Sequence, residues 1–89
     1  MQISRDNFAV RIRPIDVSLK DLHRWEAAGR RLETVAPEVL VEVFAISIEP
    51  NKVRLSLAAN AARYAAFVAE EPLKTEAVAL AEELEQRSA

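Results

Sequence analysis

The chain has 89 residues, about one small domain's length. It is 51% hydrophobic and 29% charged, with 12 Lys+Arg against 14 Asp+Glu for a net charge of −2, 16 alanines, one glycine and no cysteine. These counts exclude a disulfide-stapled mini-protein, a cysteine-ligated zinc module, a low-complexity chain and a bitopic membrane protein. They name no activity.

The first apolar pattern is Phe8-Ala9-Val10-Arg11-Ile12-Arg13, closed by Pro14. Apolar side chains at 8, 10 and 12 alternate with Ala9, Arg11 and Arg13, the period of a half-buried strand, which predicts a strand over 7–13. Pro14 ends the ladder because it brings no N–H. The preceding Met1-Gln2-Ile3-Ser4-Arg5-Asp6 does not read as a positive region followed by an apolar one, so a cytoplasmic location is expected.

Ser18 reads as a helix N-cap for a helix over 18–35, with Asp21 three residues on. Wound at 100° per residue, Leu19, Leu22, Trp25, Gly29, Leu32 and Ala36 share one stripe. Lys20, Arg24, Ala27 and Arg31 fall on the far side, and Glu26 and Arg30 are spaced to pair. Gly29, the only glycine, lies in the apolar stripe and predicts close approach to whatever the helix covers.

The β-branched run Val39–Ile48 and the alternating Val53-Arg54-Leu55-Ser56-Leu57 flank a Pro50-Asn51 turn, which predicts a hairpin over 40–57. A continuous apolar run of this kind is equally compatible with a helix by periodicity alone. In the hairpin, Phe44, Ile46, Ile48, Val53, Leu55 and Leu57 face inward, while Val41, Val43, Lys52 and Arg54 face outward. Alanine density then switches the pattern to helix over 58–70, Pro72 interrupts it, and a last helix over 73–87 has Leu73, Ala77, Leu80, Ala81 and Leu84 on one face. Phe44, Ile48, Leu57, Tyr64 and Phe67 are counted among the core formers.

The expected fold is therefore α+β: a small single-layer, antiparallel or mixed three-stranded sheet covered by helices, in the order β-α-β-β-α-α. The alanine face of the 58–70 helix suits packing on the last helix, with a dimer seam as the alternative. The last helix presents Glu76, Glu82, Glu83 and Arg87 as a solvated face.

No catalytic constellation stands out, and no cofactor or metal is expected. His23 is the only histidine, no glycine-rich loop is present, and no serine sits in a nucleophile elbow. The more informative group is the outer sheet face, where Arg11, Arg13, Val41, Val43, Lys52 and Arg54 make a cationic and apolar surface suited to a partner. This favours a non-enzymatic interaction module, an adaptor, inhibitor or small regulatory subunit. Its partner would be another protein or a second copy of the chain, with no membrane contact; nucleic acid is less favoured because net charge is negative and no aromatic residue is interleaved with these cations.

Residues 52–84 run strand, helix, turn, helix. Val53-Arg54-Leu55-Ser56-Leu57 followed by Leu73-Lys74-Thr75-Glu76-Ala77-Val78 resembles a ribbon-helix-helix repressor. The resemblance implies an alternative function, a DNA-binding transcriptional regulator. In it, strands over 52–57 from two chains pair into a ribbon in the major groove. Lys52, Arg54 and Ser56 would face bases, and Thr75 would cap the helix near phosphate.

Overall fold

A computed structural model of the chain describes residues 14–89, which form four helices: α1 (Leu19–Arg31), α2 (Pro37–Ile48), α3 (Lys52–Val68) and α4 (Leu73–Ser88). Helices adjacent in sequence pack on each other, α1 also touches α4, and the closest packing is α3 on α4. Among the described residues there is no strand, only an isolated antiparallel bridge between Pro14 and Asn51, beside an Ile15 N–H that donates to the Pro50 carbonyl at 2.7 Å. The expected three-stranded α+β sheet is thus corrected to an all-helical fold. The strand expected over 7–13, with Arg11 and Arg13, lies outside the described residues.

The hairpin over 40–57 is replaced by α2 and the start of α3, for reasons that are local. Pro37 stands in the first turn of α2, where its missing N–H costs nothing, with Glu38 beside it to complement the helix dipole. Asn51, which resembles a turn residue, is the N-cap of α3: its side-chain oxygen accepts from the Arg54 N–H at 2.9 Å. Buried residues of α2 are Val39, Leu40, Val43 and Ile46, a helical spacing. Strand alternation would have buried Phe44 and Ile48 instead. Poor helix propensity costs a β-branched residue at most about 0.7 kcal/mol, less than the roughly 1.5–3 kcal/mol gained on burying its side chain.

At α1, Ser18 accepts from the Asp21 N–H at 3.1 Å, and Trp25, Gly29, Leu32 and Ala36 are buried. The helix is shorter than 18–35, ending in a turn after Arg31, and Leu19 is exposed. Gly29 is where α1 meets α2. A Cβ there would stand 3.2 Å from both the Cα and the Cδ1 of Leu40.

The core has no buried polar or charged residue among those described. Trp25, Leu32, Val39, Val43, Ile46, Leu55 and Leu84 supply its large side chains. The rest of α3's buried face is alanine: Ala58, Ala59, Ala62, Ala65 and Ala66, continued by Ala69. This face packs within the chain, so the alternative of an alanine dimer seam is also corrected.

Gly29→Ala sets a helix-propensity gain of roughly 1 kcal/mol against displacement of Leu40, and its net effect on stability is expected below about 1 kcal/mol. Gly29→Leu is expected to lower the unfolding free energy in urea by about 1–3 kcal/mol. A leucine variant as stable as the parent would contradict this crossing.

Candidate functional site

The outer faces of α2 and α3 form the candidate site. Counted at 100° per residue, the buried alanine face of α3 lies about 160° around the helix from Val53, Leu57, Tyr64, Phe67 and Val68. All five are exposed, Phe67 by 82% and Tyr64 by 53%. The helix therefore has two apolar faces, with the small residues inside and the large ones outside. α2 repeats the arrangement, burying Val39, Leu40, Val43 and Ile46 while exposing Val41, Phe44 and, by 79%, Ile48. The two outer stripes meet at the α2–α3 turn, where an open groove of about 590 Å³ is lined by Pro14, Ile48, Pro50, Val53 and Arg54 among others.

The six residues grouped by the sequence do not come together. Arg11 and Arg13 lie outside the described residues. Val41 is exposed on α2, whereas Val43 is a core residue, 2% exposed. Lys52 is exposed at the start of α3, and Arg54 is half-buried and paired with Glu49 at 3.2 Å. No sheet face joins them, because the residues between are helical. The ribbon-helix-helix reading loses its ribbon for the same reason: 52–57 is the first part of α3. Thr75 is occupied locally, its N–H and hydroxyl both donating to Glu71 Oε1 at 3.0 and 2.7 Å. That pair of bonds holds the Glu71 carboxyl below its ordinary range.

Phe44, Ile48, Leu57, Tyr64 and Phe67, expected in the core, are the residues of the site instead. Their signal in the sequence is the alanine set at 58, 59, 62, 65, 66 and 69. It marks a complete buried face of its own and leaves the larger side chains no room inside.

The acidic residues of α4 are not a purely solvated face either. Glu83 accepts from Arg24 at 2.5 and 3.1 Å, Glu76 pairs with Arg31, and Asp21 pairs with Arg24 at 2.7 Å and Arg87 at 2.8 Å. From Arg24–Glu83 to Arg31–Glu76 seven residues along α1 are matched by seven back along α4, the register of two antiparallel helices. Arg63 binds Glu85 through two bonds, 2.7 and 2.8 Å, to join α3 to α4. The Arg87 guanidinium also lies over the Trp25 ring, 5.6 Å from its centroid. The indole Nε1 is buried with no hydrogen-bond partner among the described residues, and Arg24 is the main influence that holds Glu83 low.

Among the described residues no group of three or more His, Cys, Asp or Glu is placed to hold a metal ion. None of the helices described is long and apolar enough to cross a membrane. His23 is exposed beside a cavity of about 160 Å³ between α1 and α2, lined also by Leu19, Glu26 and Phe44. No protein-family model, curated protein or solved structure matches the chain.

The ion pairs make stability depend on acid. Arg24 first, then Arg87, draws Asp21 down to about 2; Arg24 lowers Glu83, and Arg63 lowers Glu85. A carboxylate whose folded pKa lies below its unfolded value of about 4 stabilises the fold above that value and ceases to as pH falls through the folded one. The urea midpoint is expected to stay level from neutral pH to about 5 and to fall between about 4 and 2. Arg24→Gln, which unpairs Glu83 and weakens the hold on Asp21, should flatten that acid limb. A midpoint constant down to pH 2 would contradict the assignment.

Proposed function

We propose that the protein is a non-enzymatic interaction module that binds another protein through the outward apolar faces of α2 and α3. The observation that carries this reading is the second apolar face on each of two neighbouring helices. A soluble monomer rarely leaves a contiguous apolar patch beyond about 300–600 Å² unless it serves binding. Phe67 and Tyr64 alone, at 82% and 53% of about 200 Å² each, present roughly 270 Å².

Charge supports a protein partner over a nucleic acid. Binding to a phosphate backbone draws on unpaired cations. Here Arg24, Arg30, Arg31, Arg54, Arg63 and Arg87 are each paired with a carboxylate, and Lys74 donates to the Ala66 carbonyl at 2.5 Å. An adaptor, inhibitor or small regulatory subunit would use the surface in this way.

The double variant Val41→Glu, Ile48→Glu changes exposed positions of α2 and should leave its circular dichroism unaltered. In quantitative affinity capture from the source cells, the proteins enriched by the parent chain are expected to fall at least about tenfold with the variant, the effect of losing central apolar contacts. An unchanged set of captured proteins would remove α2 from the working surface.

A further inference from the structure

We infer that the outer stripe of α3 is covered by the same stripe of a second copy, the two helices running antiparallel about a two-fold axis at Asn60 and Ala61. The inference rests on the reading of these faces as binding surfaces and names the occupant of one of them.

The order of residues along the stripe carries the argument. Outward from its middle, the stripe has Leu57 on one side and Tyr64 on the other, then Val53 and Val68. Asn60 and Ala61 occupy the centre. These two pairs present apolar residues at matching distances in both directions, as a face that pairs with itself about a two-fold axis must, whereas Phe67 has Arg54 as its counterpart and would lie over the Val53 end of the second copy. The exposed positions 53, 57, 60, 64 and 67 are also spaced 4-3-4-3, the spacing that keeps one seam of a helix against a partner helix. The small side chains of Asn60 and Ala61 at the centre permit close approach of the two backbones, and a single asparagine in an apolar seam fixes its register.

Charge selects the direction. Lys52 opens α3 and Glu70 lies just past its end; among the described residues neither has an ion-pair partner. Antiparallel pairing brings Lys52 of one copy to Glu70 of the other, and a parallel pairing would set like charge against like.

The area sets the strength. With the aromatics and the partly exposed Val53, Leu57 and Val68, the stripe offers roughly 400 Å² of apolar surface per chain. Homodimer interfaces are about 65% apolar, so the full interface is about 1,200 Å² over both copies, the lower edge of the stable class. A dimer at that edge is expected to dissociate on dilution. The α2 stripe stays available to another protein.

Light scattering after size exclusion should give twice the chain mass at high concentration and the single mass after dilution. Phe67→Glu is expected to weaken dimerisation at least about tenfold while circular dichroism is unchanged. The chain has no cysteine, so introduced ones report geometry directly. Asn60→Cys should cross-link to its own copy under mild oxidation, whereas Val53→Cys should not, because its counterpart sits about 22 Å away along the helix. A parent chain monomeric at every concentration, a Phe67→Glu dimer of undiminished affinity, or Val53→Cys cross-linking in place of Asn60→Cys would each overturn the proposal. Loss of the dimer alone, with Val41-dependent capture intact, would leave the interaction-module reading standing.

Discussion

The structure depends on how closely α3 can lie on α4. Ala58, Ala62 and Ala65 on α3, its C-cap Ala69, and Ala77 and Ala81 on α4 make the buried faces of the most extensively packed helix pair largely small, with Leu80 and Leu84 of α4 beside them. Small side chains bury little area each, so the contact gains from dispersion between nearby backbones more than from any single residue. The larger apolar groups of the core, Trp25, Leu32, Ile46 and Leu55, come mainly from α1, α2 and the first turns of α3. A close α3–α4 contact leaves no interior place for Tyr64 or Phe67, and they stand in solvent on the opposite side of the same helix. The candidate site is in this sense a consequence of the core.

Electrostatics then closes the fold where packing is thinnest. The α1–α4 contact is the slightest of the four helix pairs, and Arg24, Arg31 and Arg87 cross it to Glu83, Glu76 and Asp21. Isolated surface pairs contribute about 0–1 kcal/mol each, but here Arg24 and Asp21 each serve two partners, which makes the seam a network. The same pairing occupies the arginines of α1, α3 and α4. What remains for a partner is apolar surface with few free charges at its edges.

Much of the helical half of the fold was legible in the residues. Ser18 capping, the Trp25–Gly29–Leu32 stripe, the close approach at Gly29 and the Ala77–Leu80–Leu84 face follow from spacing and capping chemistry alone. Residues 39–57 were not, because the β-branching and two-residue spacing of Val39, Val41 and Val43 signal strand while Pro37 and the spacing of Val39, Leu40, Val43 and Ile46 signal helix. Burial of Val39, Val43 and Ile46 decides between the two, and burial is a tertiary fact. Asn51 is ambiguous in the same manner, since one side-chain oxygen can serve a turn or a cap. The site was hidden for a different reason. Large apolar residues are ordinarily interior, and Phe44, Ile48, Tyr64 and Phe67 become visible as surface only once the alanines are recognised as a complete packing face.

The central claim is that α3 packs by its alanines within the chain and by its large residues against a second copy. Isotope-filtered nuclear Overhauser spectra on a mixture of labelled and unlabelled chains test it most directly. The account predicts contacts between chains joining the Val53 methyls to the Phe67 ring and the Val68 methyls, with none between chains at Ala62 or Ala66. Contacts between chains from the alanine face, or none from Val53 and Phe67 at concentrations where the chain is dimeric, would contradict it.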